Sequence, residues 1–290
     1  MKKSLKALPL VAVMGLGLSA VVPVFAQEGE INVISREEGS GTRGAFVEIV
    51  GVVNDKKDDM TTDTADIQNG TSGVMQAVAG NPQAIGYISL GSLDDSIKAL
   101  KVDGVEATAE NVKSGDYKIS RPFNVVWPKD GMSDLAKDFL SYIHSKEGQA
   151  IVEAEKYISV TPKDAKDQEL KAYEKQDGLK GQLNVVGSTS VTPLMEKLAE
   201  EYQKVNPDVK IEITSNGSTA GIQAAEDKSA DLGMASRELK DEEKAKLDAD
   251  AIALDGIAVI VNKESKTEDI TLENIKKIFL GEITEWEEVK

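Results

Sequence analysis

The feature that most constrains this chain is a pattern that occurs three times. An apolar β-type run enters a turn of glycines and hydroxyls, and a helix starts on the far side. The first turn is Ser35-Arg36-Glu37-Glu38-Gly39-Ser40-Gly41-Thr42. It follows Ile31, Val33 and Ile34 and precedes Ala45, Phe46, Ile49 and Val50 at helical spacing. The second, Gly187-Ser188-Thr189-Ser190-Val191-Thr192-Pro193, follows a run from Leu183 to Val186; the third, Asn216-Gly217-Ser218-Thr219-Ala220-Gly221, follows Val209 to Ile213. Glycine lets backbone approach a ligand closely, and the first N–H groups of a helix have no partner within it. Those donors, the helix dipole and one guanidinium make a site for a small anion. Several such turns in one chain point to an anion held between two lobes.

Composition narrows the partners. The 290 residues suffice for two modest domains, each with its own core. A net charge of −16 argues against nucleic acid and anionic membranes, so an anion must be held by local donors. The chain has no cysteine, which excludes disulfides, thiolate metal sites, cysteine nucleophiles and a lipobox anchor. His144 is the only histidine, so a two-histidine metal site or a histidine relay is excluded; it reads as a surface residue of an amphipathic helix. Lys2, Lys3 and Lys6 precede an apolar run from Leu8 to Val24, and Val24-Phe25-Ala26 is a small-residue cleavage site. Residues 1–26 therefore read as a secretory signal peptide, with a membrane anchor as the competing reading. The mature chain is expected to be exported, to a periplasm or to the cell surface and beyond.

Strand patterns alternate with helical ones along the rest. Ala84 to Leu90 and Ile252 to Val261 read as buried strands, and Ser133 opens a helix with Leu135, Phe139, Leu140 and Ile143. Residues 161–180 are nearly all charged or polar and read as a linker, with a surface helix through Leu170 and Tyr173 as the alternative. The alternation argues for α/β with mainly parallel sheets and a ligand at the carboxyl ends of strands.

The segments GSTSVTPLMEKLAEEYQKVNPDVKIEI, ADLGMASREL, IALDGIAVIVN, FLGEITEWEEV, SREEGSGTR, AIGYISL and ISRPFNVV together resemble the phosphate-binding proteins of bacterial phosphate ABC importers. The resemblance spans almost the whole mature chain. It implies a two-lobed, periplasmic-binding-protein-like fold of type II with a hinge. The order departs from the family's, in which the GSTSV-type segment comes first, so the chain looks circularly permuted. Residues 161–180 would then join the usual termini, and the ends near Gly29 and Lys290 would share a surface loop. Carried over, the resemblance gives one lobe of 27–90 plus 262–290 and another of 91–261, with the hinge near Leu90–Asp94 and Val261–Lys263.

By resemblance the phosphate contacts are Arg36, Ser40, Gly41, Thr42, Ser188, Thr189, Ser190 and Ser218. Each supplies a hydroxyl, a backbone N–H or a planar charged fork. Each serine or threonine, taken alone, also fits an ordinary helix cap. Some family members carry an aspartate, which accepts the ligand proton, at the position of Arg237. Arg237 either adds attraction or makes a salt bridge, and Glu38 becomes the candidate to pair with Arg36 or accept the proton. Gly39 to Gly44 also fits a GxGxxG fingerprint, but three charged residues separate it from the strand. A GxSxG elbow is absent, and no clustered ligands suit a metallophosphatase. The expected protein is a monomeric, non-enzymatic carrier without metal or cofactor, partnered by inorganic phosphate and an importer's permease. Another oxyanion such as sulfate, or a phosphate-ester hydrolase using Ser40 or Ser190, are the alternatives.

Overall fold

The computed structural model describes residues 27–160 and 170–289. The expected signal peptide and the first part of the charged stretch lie outside the described residues. Strand β1 (Asn32–Arg36) delivers the chain to α1 (Gly41–Val50), whose Ser40 cap accepts a hydrogen bond from the Arg43 N–H. There follow β2 (Asp66–Gln68), α2 (Gly70–Ala79), β3 (Ala84–Ser89), β4 (Ile97–Ala99), β5 (Lys101–Val102) and α3 (Ala109–Ser114). Next come β6 (Ser120–Pro128), α4 (Asp134–Ile143), α5 (Lys146–Ala154), β7 (Gly181–Gly187) and α6 (Thr192–Val205). The chain then runs through β8 (Val209–Ser215), α7 (Ser218–Glu226), β9 (Leu232–Ala235) and α8 (Asp241–Lys244). Then come β10 (Leu247–Asn262), β11 (Asp269–Ile270) and α9 (Leu272–Phe279), and a 3-10 turn at Trp286–Glu288 ends the described residues' regular structure.

A nine-stranded sheet runs β2-β1-β3-β10-β6-β9-β7-β8, with β4 beside β10. Its two ends are parallel, as the strand–helix alternation implies: β1 pairs with β2 and β3, and β7 with β8 and β9. The centre is antiparallel, which the alternation does not reveal, because β10 opposes β3, β4 and β6, and β6 opposes β9. The cause is the length of β10. Its 16 residues pair with β6 over 247–256 and with β3 over 257–261, so one strand serves both lobes.

Two apolar cores flank this strand. In one, Phe46 stacks on Tyr87 with ring centroids 3.9 Å apart and meets the Phe279 edge at 4.8 Å, over the fully buried run Ile257 to Val261. In the other, Phe123 and Phe139 pack with Leu194, Met195, Leu198 and Tyr202 of α6. Each fully buried side chain of this kind contributes about 1.5–3 kcal/mol by leaving water.

The packing divides the chain at different points from the expected ones. Ile97, Leu100, Val102, Val112, Tyr117 and Ile119 join the core of residues 31–90, not that of Phe123. The chain crosses between lobes at 119–120 and again near 256–257. There Ser120 faces Gly256 in register and the Ile257 N–H donates to the Ile119 carbonyl at 2.8 Å. Crossings at Leu90–Asp94 and Val261–Lys263 would instead put residues 257–261 of β10 in a different lobe from β3, the strand they pair with.

Two smaller expectations also change. The His144 side chain is only 8% exposed and lies 3.1 Å from Asp250 Oδ2, so it is packed against β10. The described part of the charged stretch is not helical, and it is tied down. Tyr173 Oη donates to Asp138 Oδ2 at 2.5 Å, and Tyr202 Oη donates to the same oxygen at 2.7 Å. Elsewhere, residues 29–31 run beside 284–287: Ile31 N donates to Thr284 O at 2.7 Å and Trp286 N to Gly29 O at 3.0 Å.

Candidate anion-binding site between the lobes

The carboxyl end of β1 and the turn after it put Arg36 at the lobe boundary, where it is 1% exposed. Its Nε and Nη2 donate to the two oxygens of Glu37, both at 2.7 Å. Its Nη2 also reaches across to Thr189 Oγ1 at 2.9 Å, and Nη1 lies 3.5 Å from Thr42 Oγ1. Thr42 in turn meets Ser190 of the opposite lobe at 2.8 Å. One guanidinium and hydroxyls from two turns therefore form a single polar network across the boundary.

Glycine makes this approach possible. A Cβ on Gly41 would clash with the side-chain oxygens of Ser218 and Ser236 in the other lobe. Gly187, at φ +144, lets β7 press its backbone on Met234, so the second turn sits against the end of β9. The third turn closes the ring: Thr219 N donates to Gly39 O at 3.1 Å, and Ser218 Oγ accepts from Ser236 N at 3.0 Å. Ser188 Oγ donates to Ser236 Oγ at 2.8 Å.

Of the residues named from the sequence, Arg36, Ser40, Gly41, Thr42, Ser188, Thr189, Ser190 and Ser218 come together here. Two do not. Glu38 is exposed, and the partner of Arg36 is its neighbour Glu37. Arg237 lays its stem against Gly44 but turns its fork into Glu243, with both bonds at 2.7 Å. Glu37 makes the pairing with Arg36 that was expected of Glu38, and Arg237 makes a salt bridge, the second of the two readings given for it. Ser236, not Arg237, faces the cleft. Thr71, at 3.5 Å from Ser190 Oγ, also belongs to the network and was missed.

Electrostatics separate the groups. Burial works to raise the Glu37 carboxyl, but the hydrogen bonds and charge of Arg36, with the Gly70 N–H, outweigh it and leave the group below the usual range. That Gly70 N–H, 3.1 Å from Glu37 Oε2, opens α2, where a carboxylate is favoured by the helix dipole. Behind the cleft, Arg121 grips Asp255 Oδ2 through Nε at 3.3 Å and Nη2 at 3.1 Å, and donates from Nη1 to the Ser236 carbonyl at 3.0 Å. Burial pushes Asp255 up to about 6, and Arg121 and Ser89 offset only part of this. Among the described residues no group of three or more His, Cys, Asp or Glu is placed to hold a metal ion. Chemically, the arrangement offers hydrogen-bond donors from two sides, as a small anion requires.

The chain matches the PBP superfamily domain over residues 20–147 and 172–290. It is 51% identical over 296 residues to phosphate-binding protein PstS 2 of Streptococcus pneumoniae serotype 4, covering 99% of each chain. Against phosphate-binding protein PstS 2 of Streptococcus agalactiae serotype V it is 46% identical over 295 residues, covering 99% of this chain and 98% of that one. A crystal structure of a phosphate-binding protein of a phosphate ABC transporter from Streptococcus pneumoniae TIGR4 superimposes with a TM-score of 0.71 at 54% identity. It covers 90% of this chain and all of that one. The alignments run nearly end to end, so these relatives share the segment order seen here. The chain belongs to the PBP superfamily and, within it, to the phosphate-binding proteins of bacterial phosphate ABC importers.

Proposed function

We propose that this chain is an exported carrier that binds inorganic phosphate between its lobes and delivers it to the permease of an ABC importer. The observation that carries the reading is the meeting of buried Arg36 with Thr42 of its own lobe and Thr189 and Ser190 of the other. The family supplies the ligand, since the full-length relatives bear the name phosphate-binding protein. Ser40, Gly41, Ser188 and Ser218 complete the proposed ligand set. Ser236 and Thr71 join it in place of Glu38 and Arg237.

Binding without turnover follows from the same geometry. The carboxylate beside Arg36 is tied to that arginine and the Gly70 N–H and held below its usual range, which makes it a poor general base toward Ser40 or Ser190. Calorimetry on the purified chain is expected to show one phosphate per molecule. Arg36→Ala is expected to weaken binding by about 2–5 kcal/mol, the loss typical of a desolvated charge-assisted contact. Steady hydrolysis of a phosphate ester that Ser40→Ala abolishes would make the chain an enzyme instead.

The reading includes a circular permutation of the family's usual order, supported by the hydrogen bonds between residues 29–31 and 284–287. A chain opened within 161–169 and joined from 289 to 27 is expected to fold and bind phosphate. If every such join yields an unfolded product, the permuted origin fails.

A further inference from the structure

Strand β8 ends the nine-stranded sheet, and among the described residues it pairs with β7 alone. Its other side is an edge, a row of N–H and C=O groups open to another strand. The Ile211 N–H points to that edge and donates to Gln203 Oε1 of α6 at 2.9 Å. Alternate residues of a strand turn their backbone groups to opposite neighbours. Val209, Ile211 and Ile213 therefore face the edge, while Lys210, Glu212 and Thr214 face β7. At the strand's start the Val209 N–H donates to the Asn206 carbonyl at 3.0 Å. On the α6 side of the edge lies an open groove of about 510 Å³. Its walls include Ala199, Glu200, Gln203, Ile211 and Ile213, and both isoleucines are only half-buried. On the opposite face of the strand Lys210 Nζ pairs with Glu212, which Gln182 Nε2 also holds at 2.9 Å.

We propose that β8 is a self-complementary interface for a second copy of this chain, and that Gln203 keeps the chain monomeric by occupying it. The charges select the partner and its register. A second β8 laid antiparallel across a two-fold axis and centred on Lys210 or Glu212 sets like charges face to face. Centred on Ile213 it sets Glu212 opposite Thr214, and centres nearer either end leave most of the strand unpaired. Centred on Ile211 it sets Lys210 opposite Glu212 twice. In that register the two Ile211 residues exchange both backbone bonds, and each Ile213 N–H meets the Val209 carbonyl of the other copy. Val209 and Ile213 of the second copy then fall on the groove side and cover the half-buried isoleucines. The Gln203 oxygen stands where the Ile211 carbonyl of the second copy accepts, so cap and partner exclude each other.

Light scattering on size-exclusion fractions of the full chain tests this for the wild type and Gln203→Ala over a concentration series. The wild type is expected to run as a monomer at concentrations where Gln203→Ala runs as a dimer. Two caps are lost per dimer, so the dimer constant tightens by roughly tenfold or more. Adding Glu212→Lys sets lysine against Lys210 across the axis and is expected to return the monomer. Amide exchange gives a second reading that a change in helix α6 alone would not move. The Ile213 N–H, on the open edge, is expected to exchange freely in the wild type and to slow only in dimeric Gln203→Ala. A Gln203→Ala chain that stays monomeric throughout the series overturns the proposal. So does a dimer that Glu212→Lys leaves intact, or one that the wild type forms equally well.

Discussion

Of the arginine–carboxylate pairs in this fold, two at the lobe boundary serve opposite ends. Arg36 and Glu37 are neighbours in the chain, and Glu37 keeps 22% of its side chain in solvent while Arg36 is 1% exposed. Arg121 and Asp255 come from paired strands, face each other in register, and are each 1% exposed. The first pair reaches outward, to Thr189 of the opposite lobe and to the start of α2. The second reaches inward, to Ser89 of β3 and the Ser236 carbonyl, at the point where the chain crosses between lobes. Solvent decides their chemistry. The half-wet carboxylate is lowered by its arginine despite the burial it suffers, while the dry one is pushed up to about 6 by burial. The same two side-chain types therefore bridge the lobes at the candidate site in one place and make a strut at the crossing in the other.

The largest expected effect strikes the strut. Arg121→Met leaves Asp255 buried beside only its weaker donors, and breaking a buried pair on one side costs about 3–5 kcal/mol. Urea unfolding at neutral pH measures it. The double change Arg121→Met with Asp255→Leu is expected to recover most of the loss, because an apolar pair carries no desolvation penalty. The counterpart Arg36→Met is expected to lose ligand with a smaller change in stability, since Glu37 relaxes into solvent. If Arg121→Met loses phosphate and keeps its stability, the division of labour between the pairs is wrong.

How much of this was legible in the sequence follows from the same contrast. The turn residues Arg36, Ser40, Gly41, Thr42, Thr189 and Ser190 were readable because a glycine–hydroxyl turn between strand and helix has a local meaning. The choice between Glu37 and Glu38, and between Ser236 and Arg237, was not. Each depends on how a residue just past the end of a strand is oriented in its turn, which contacts from the rest of the fold decide. Arg121 and Asp255 were hidden for a different reason. They lie 134 residues apart and meet only through the pairing of β6 with β10. The apolar run Ile252 to Val261 announced a buried strand; that its length serves two lobes, and so carries the crossing, is a tertiary fact.

The smallest expected effect is in pH, and it separates the pairs by sign. Glu37 is held below its ordinary value in the folded chain. Its contribution to stability is therefore present above the unfolded value and is lost as pH falls through the folded one. Asp255 is raised from 3.8 to about 6. The native state binds that proton more tightly than the unfolded chain, so this contribution is present below the unfolded value and is lost as pH rises through about 6. Stability curves in urea for the wild type, Glu37→Gln and Asp255→Asn, taken from below the ordinary carboxylate range up to neutral pH, read both. The advantage of the wild type over Glu37→Gln is expected to shrink toward acid. Its advantage over Asp255→Asn is expected to shrink toward neutrality, by at most ~3 kcal/mol, with the part-exposed Glu37 giving less. Two differences that move in the same direction with pH would mean that burial does not set the chemistry of these pairs. The contrast between a wet pair at the ligand and a dry pair at the crossing would then have to be abandoned.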